Sequence, residues 1–286
     1  MNIIETVAEV RNQVKSWRRE GLTVGLVPTM GYLHEGHQSL IERACKENDR
    51  VVVSVFVNPT QFGPTEDLES YPRDLNHDAK LCENVGADIV FHPTPEEMYP
   101  NGFCSFVDMD ILTKELCGLS RPVHFRGVCT VVSKLFNIVQ PDRAYFGEKD
   151  AQQLAVIKRM VMDLNMDIEI VGCPIIREAD GLAKSSRNTY LSAEERKAAL
   201  VLSQSILAGK QLAEQGEADA KKIVQKMTDI IKAEPLAKID YVKIVDLMTM
   251  QQIEKIDRPF LAAIAVYIGK TRLIDNFMIQ TAGGAV

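Results

Sequence analysis

Thr23-Val24-Gly25-Leu26-Val27-Pro28-Thr29-Met30-Gly31-Tyr32-Leu33-His34-Glu35-Gly36-His37 reads as a strand, a turn and the start of a helix in a single line. The β-branched run Thr23–Val27 is the strand, and the apolar spacing that begins at His37 is the helix. The two glycines, Gly31 and Gly36, let backbone come close to a ligand, and a helix start offers unpaired N–H groups at the positive end of its dipole. In an open sheet of parallel strands, ligands collect at this end of the strands. The stretch therefore predicts both a fold and the edge at which its chemistry takes place.

The same alternation continues outward from it. Strand-like runs at Thr23–Val27, Val51–Val57, Asp88–Phe91, Arg143–Phe146 and Ile168–Val171 are separated by helical patterns at His37–Glu47, Leu75–Val85, Val128–Val139 and Ala151–Leu164. Strands and helices taken in turn build a doubly wound parallel sheet, the α/β class. After Asp180-Gly181 two polar amphipathic helices, Ala193–Gln215 and Ala218–Lys232, precede strand-like runs at Ile239–Val245, Ala262–Ile268 and Arg272–Met278. That order predicts a smaller α+β domain serving as a lid. The expected division is 1–176 and 177–286, with a hinge near Ile175–Asp180, and the tail Thr281–Val286 is expected to fray.

Composition narrows the class. The chain has 286 residues, 46% apolar and 25% charged, which is ordinary for a folded soluble protein. No apolar run reaches the roughly 18 residues of a membrane span, and the first residues lack the pattern of a signal peptide, so a cytoplasmic protein without a membrane partner is expected. The six cysteines show no C-x-x-C pair and read as reduced packing residues. A net charge of −6 argues against a nucleic-acid partner but leaves room for a local cationic pocket that holds an anion.

Four segments carry candidate chemistry. His34 and His37, three apart, share one face of a helical turn and can donate hydrogen bonds to phosphoryl oxygens; a bare H-x-x-H also occurs as ordinary helix N-terminal residues. Zinc is excluded because the segment is H-E-G-H and suggests no third ligand, and no G-x-G-x-x-G follows the strand. Gly147-Glu148-Lys149-Asp150 leaves a strand at the start of a helix, where Lys149 brings a point charge to phosphate, or else the segment is a charged cap. Gln152 and Gln153 follow it. Lys184-Ser185-Ser186-Arg187-Asn188 reads as a loop whose cations clamp a triphosphate or simply meet solvent, ahead of a helix capped by Ser192. In Phe56-Val57-Asn58-Pro59-Thr60-Gln61-Phe62-Gly63, Asn58 and Gln61 suit a small polar substrate, the competing reading being a Pro-containing turn. Asp78 is the one carboxylate offered as a metal contact, against a solvated helix charge. Gly269-Lys270-Thr271 imitates the end of a P-loop, but Ile264 occupies the place of its first glycine, and a hairpin is expected there.

Taken in order, P-T-M-G-x-L-H-E-G-H, F-V-N-P-x-Q-F, H-F-R-G-V at His124–Val128, P-D-x-A-Y-F-G-E-K-D-x-Q-Q and R-E-x-D-G-L-A-x-S-S-R-N resemble the pantothenate synthetase family. They span Pro28 to Asn188. The resemblance implies a Rossmann-like domain that binds ATP and pantoate, and a homodimer. It implies a ligase that adenylates pantoate with ATP and Mg2+ and then passes the pantoyl group to β-alanine. By the same resemblance His37 and His34, within an ATP-binding stretch similar to an H-I-G-H motif, are catalytic together with Lys149 and Arg187. Met30, Gly31, Gly36, Gly147, Glu148, Asp150, Ile176, Lys184, Ser185 and Ser186 complete the ATP set. Lys184–Arg187 looks like a K-M-S-K-S clamp, although relatives often carry an apolar residue at 184. Gln61 and Gln153 match pantoate-binding glutamines, with Gln61 also assigned to β-alanine. Two other readings compete: a nucleotidyltransferase that forms no amide, and a module that senses ATP without turnover.

Overall fold

The computed structural model describes residues 1–280, and the tail expected to fray lies outside the described residues. The chain divides into two compact units, one made of Met1–Met109, Arg121–Glu148 and Val156–Pro174, the other of Asp110–Ser120, Lys149–Ala155 and Ile175 onward.

The first unit opens with β1 (Asn2–Ile4), α1 (Val7–Arg19), β2 (Val24–Thr29), α2 (Glu35–Glu47) and β3 (Arg50–Val55), followed by α3 (Leu75–Asn84), β4 (Ile89–Phe91) and the short α4 (Pro95–Met98). After a brief passage through the other unit, which contributes α5 (Cys117–Ser120), come α6 (His124–Val139), β5 (Arg143–Gly147), α7 (Ala151–Asp163), whose residues up to Ala155 belong to the other unit, and β6 (Glu169–Cys173). All six strands are parallel, in the order β1-β4-β3-β2-β5-β6. Both faces are covered, so Val24, Leu26 and Val27 of β2 and Val51, Val52 and Val53 of β3 are all buried. Leu40, Ile41 and Ala44 of α2 pack with Val27, Val51, Val53, Tyr145 and Val171 in one core.

The expected strands and helices of this unit are present, with ends shifted by a few residues. The first two elements had not been anticipated. α1 carried a legible signal, since Val10, Val14 and Trp17 bury one face and Thr6 caps it by accepting the Glu9 N–H. β1 has only three residues, too few for a pattern. The strand order reverses between β2 and β5, which pair through Gly25↔Arg143 and Leu26↔Ala144. The carboxyl ends of those two strands are where a ligand crevice forms in such sheets.

The second unit holds α8 (Ala193–Ala198), α9 (Leu200–Glu214), α10 (Ala220–Lys232) and an antiparallel sheet β7 (Ala237–Asp246), β8 (Phe260–Ile268), β9 (Thr271–Ile279). The single helix expected over Ala193–Gln215 is two helices that meet at Ala199. Ser192 caps α8 in a reciprocal box with Glu195. Alternate residues of β8, Phe260, Ala262, Ile264, Val266 and Ile268, face Leu202, Ile206, Ile223, Met227 and Ile231 of α9 and α10. Gly269 turns β8 into β9 with φ +57°, so the Gly-Lys-Thr segment is a hairpin, as its sequence indicates. Among the described residues no helix is long and apolar enough to cross a membrane.

Candidate active site

The candidate residues divide between the units. Met30–His37, Asn58, Gln61, Asp78, Gly147 and Glu148 belong to the first; Lys149, Asp150, Gln153, Ile176 and Lys184–Arg187 belong to the second.

At the end of β2 the backbone turns through two consecutive left-handed residues, Gly31 at φ +81° and Tyr32 at φ +52°. A Cβ on Gly31 would sit 3.0 Å from both Asp78 Oδ2 and Val55 Cγ1, so conformation and space both call for glycine. The turn is held from α3. Asp78 is 1% exposed, and its two oxygens accept the Tyr32 N–H at 2.8 Å and the Leu33 N–H at 2.7 Å. His77 Nε2 donates to the Leu33 carbonyl at 3.0 Å. The expectation of Asp78 as an exposed helix charge is therefore corrected: it lies under the turn and fixes it. Burial pushes its carboxyl above the ordinary range and outweighs the opposing pull of the two N–H donors.

This turn delivers the histidines in an arrangement the sequence did not indicate. α2 begins at Glu35, so His34 is its extended N-cap, at φ −136°, and His37 is its third residue. The Gly36 N–H donates to His34 Nδ1 at 3.1 Å, and the His34 N–H donates to His37 Nδ1 at 3.3 Å. Each imidazole thus caps the helix with one nitrogen. Because an N–H can only donate, both Nδ1 atoms carry lone pairs, which puts the ring proton of each on Nε2. The rings lie with centroids 4.1 Å apart. The result is a pair of Nε2–H donors at a helix N-terminus.

Gln61 sits in a one-turn 3-10 helix, Pro59–Gln61, capped by Asn58. Asn58, expected to touch a substrate, is 1% exposed. Its Nδ2 donates to Gln61 Oε1 at 3.0 Å and to the Gly127 carbonyl at 3.1 Å, while its Oδ1 accepts from the Tyr99 hydroxyl at 2.7 Å and the Thr60 hydroxyl at 2.9 Å. The Gln61 amide nitrogen points to Met30 Sδ at 3.1 Å. Tyr99 carried no signal in the sequence, whereas His124–Gly127 lay in a recognisable block without an evident role.

In the second unit Lys149 follows Glu148 in a 3-10 turn (Glu148–Asp150), and the Asn276 side chain donates to its carbonyl at 2.8 Å. Of the paired glutamines, Gln152 is spent on the fold. Its amide accepts the Cys117 N–H at 2.9 Å and donates to the Leu112 and Glu115 carbonyls, both at 2.8 Å. Gln153, half-buried, remains as the candidate. The Lys184–Asn188 segment is more ordered than the loop expected. The Lys184 N–H returns to the Ile176 carbonyl at 2.9 Å across a tight reversal at Gly181, and Ser185 caps a 3-10 turn, Ser186–Tyr190, by accepting the Arg187 N–H. Asn188 bonds Glu178 and the Ala183 carbonyl, each at 3.1 Å, and Arg196 pairs with Glu178 at 2.7 Å and Asp180 at 2.8 Å. Arg177 forks onto buried Asp275 at 2.7 and 2.9 Å.

The cysteines are free, but they are not all packing residues: Cys104 is exposed, and Cys117 Sγ lies 3.2 Å from the Tyr241 hydroxyl and 3.6 Å from the Arg272 guanidinium. Among the described residues no three His, Cys, Asp or Glu side chains gather as a metal-binding group.

A family model described as pantoate–β-alanine ligase matches residues 2–278. The pantothenate synthetase of Ruminiclostridium cellulolyticum is 69% identical over 277 residues, covering 97% of this chain and 98% of that one. That of Clostridium acetobutylicum is 62% identical over 277 residues, covering 97% and 99%. Among solved structures, pantothenate synthetase from Thermus thermophilus superposes with a TM-score of 0.92 at 48% identity, covering 97% of this chain and 99% of that one. The pantoate–β-alanine ligase of Francisella tularensis, complexed with β-γ ATP and β-alanine, gives 0.80 at 35% identity, covering 97% of each chain.

Proposed function

Because this chain belongs to the pantoate–β-alanine ligase family, we propose that the residues described above bind ATP, pantoate and β-alanine and carry their condensation to pantothenate. A carboxylate is a poor acyl donor, since its oxygen leaves badly, so the reaction proceeds in two steps. One pantoate carboxylate oxygen attacks the α-phosphorus of ATP, and the bond to pyrophosphate breaks. The amine of β-alanine then attacks the acyl carbon of the pantoyl-adenylate, loses a proton and expels AMP.

The observation that carries this reading is the pair of Nε2–H donors fixed at the start of α2 by their own Nδ1 caps. Donors locked before the substrate arrives stabilise charge that builds on phosphoryl oxygens without reorganising. His37 is the principal donor and His34 its neighbour. Met30, Gly31 and Gly36 line the nucleotide with backbone, as do Gly147, Glu148, Asp150 and Ile176. Lys149 and Arg187 supply positive charge, with Lys184, Ser185 and Ser186 beside Arg187. In this reading Met30–His37 acts as an H-I-G-H-type motif and Lys184–Arg187 as a K-M-S-K-S-type clamp. Gln61 and Gln153 take pantoate, Gln61 also serves β-alanine, and Asn58 acts through Gln61.

Mg2+ fits as a cation held mainly by the triphosphate and water, the usual arrangement for this ion, since both Asp78 oxygens already accept backbone N–H groups. When bound, it offsets charge on the phosphates. A cytoplasmic homodimer without nucleic-acid or membrane partners completes the proposal. The decisive assay is AMP formation with pantoate and β-alanine omitted in turn. AMP release that requires both acid and amine, and that falls about 10²-fold or more in His37→Ala, is expected. Full turnover in His37→Ala would overturn its assignment.

A further inference from the structure

We propose that the first turn of α6, His124–Gly127, positions Gln61 and fixes the polarity of its amide, so that Gln61 meets pantoate as a hydrogen-bond donor. This rests on the reading that Gln61 binds pantoate.

Three contacts reach Gln61 from this turn. The first is steric. A Cβ on Gly127 would lie 2.5 Å from Gln61 Cα, from Gln61 N and from the Thr60 carbonyl, so the helix approaches the 60–61 backbone as closely as a residue without a side chain allows. The second is a polar hold on the backbone. Arg121 Nη1 lies 3.3 Å from His124 Nε2, and a guanidinium only donates, so Nε2 carries the lone pair and Nδ1 carries the proton. Nδ1 then donates to the Gln61 carbonyl at 3.2 Å. Arg121 is itself anchored by Glu66, with which it forms an ion pair. His124 is 8% exposed, so this chain of contacts is largely shielded from water.

The third contact sets polarity. The Gly127 carbonyl can only accept, so the Asn58 atom 3.1 Å away is the amide nitrogen. The opposite side of the Asn58 amide faces the Thr60 N–H at 3.4 Å, which can only donate and requires the oxygen there. The second proton of Asn58 Nδ2 is directed to Gln61 at 3.0 Å, so the Gln61 atom it meets is the oxygen. The Gln61 nitrogen is thereby turned the other way, toward Met30. A backbone carbonyl of α6 thus dictates, through Asn58, that Gln61 presents N–H to its ligand. Pantoate has acceptors on its carboxylate and hydroxyls, and a carboxylate rejects an amide that offers oxygen.

The test is steady-state kinetics on the full enzyme, with KM for pantoate, KM for ATP and kcat measured separately. Gln61→Ala checks the underlying reading: an unchanged KM for pantoate would remove Gln61 from the pantoate site and the inference with it. Given a raised value there, Asn58→Asp, which replaces the donor by an acceptor, and His124→Phe are expected to raise KM for pantoate about 10-fold to 100-fold, as misplacement of a binding group does, with KM for ATP within about 2-fold. His124→Asn keeps a donor near the place of Nδ1 and is expected to recover to within about 3-fold of wild type. Gly127→Ala is expected to follow Asn58→Asp. The inference is overturned, with the reading of Gln61 left standing, if Gln61→Ala alone raises KM for pantoate. It is equally overturned if His124→Asn is as impaired as His124→Phe, or if KM for ATP rises in step with that for pantoate, as general loosening of the fold would cause.

Discussion

The histidine turn of the first unit and the Lys184–Asn188 segment of the second are both proposed to meet phosphate, yet they are held in opposite ways. The turn rests chiefly on one buried carboxylate, Asp78, at 1% exposure, with His77 adding a bond to the Leu33 carbonyl. The segment rests on several ion pairs and amide bonds that share the load, and Arg196 keeps 26% of its side chain exposed while binding two acids at once. Buried charged hydrogen bonds are worth more and fail abruptly, because removing one partner leaves polar groups without water. Partly exposed pairs contribute less individually and are screened by salt. The first arrangement suits donors that must not move; the second suits a segment that adjusts to its ligand.

Removing Asp78 tests this contrast most severely. Asp78→Ala leaves the Tyr32 and Leu33 N–H groups buried without their acceptor, so a loss of about 2–4 kcal/mol of stability and of order 10²-fold or more in adenylate formation is expected. Chemical denaturation together with pantoate-dependent pyrophosphate release measures both. A variant with near-normal stability would show that the turn has other support. His37→Ala comes next in severity but separates the two quantities: adenylate formation is expected to fall about 10²-fold with a stability loss of only about 0.5–2 kcal/mol, that of a helix cap.

Arg187→Ala addresses the other side of the comparison. Hydrogen exchange of the wild type is expected to slow at both Met30–His37 and Lys184–Asn188 when an ATP analogue is added. In the variant the second effect shrinks and adenylation slows, while the first persists. If exchange at the segment ignored ATP and Arg187→Ala kept full activity, the segment would be a solvated turn. The smallest effect is expected from acid. The Asp180 carboxyl is exposed; desolvation opposes its ionisation, but the Leu182 N–H and the Arg196 guanidinium together prevail and hold it below its usual 3.8. An acid whose pKa is lowered by folding contributes fully above its unfolded value and loses that contribution as pH falls through the folded one. Exchange protection around Ala183–Asn188 is therefore expected to stay level from pH 7 down to about pH 4 and to weaken only below it. Weakening already at pH 6 would point to another group.

How much of this could be read from the chain depends on distance along it. The alternation of strand and helix, the Ser192 cap and the hairpin at Gly269 are local patterns, and they were legible. So was the place of the histidine block, between a strand and the start of a helix. Its geometry was not: a spacing of three suggests two residues on one helical face, but nothing near His34 shows that the helix starts one residue later, with the two rings accepting the Gly36 and His34 N–H groups. The burial of Asp78 and of Asn58 was hidden for a related reason. Each looks polar and available in its own segment, and each is buried by a partner far away in sequence: the 32–33 backbone for one, Gly127 and Tyr99 for the other. Gln152 and Gln153 are adjacent and chemically identical; the resemblance singled out Gln153, and the approach of the 112–117 backbone gives the physical reason that Gln152 is occupied.

The support under Gln61 also has a consequence in time. It joins Met30, 31 positions before Gln61, to His124, 63 positions after it, while Asn58 reaches Gly127 across 69. Contacts between such distant stretches must meet the entropy of closing long loops before they return anything, whereas the helical turn at His34–His37 closes within four residues. A chain refolding from denaturant is therefore expected to regain its helical signal and the histidine caps early, and the corner around Gln61 late. If Gln61 binds pantoate as proposed, pantoate binding is expected to return after the helical signal.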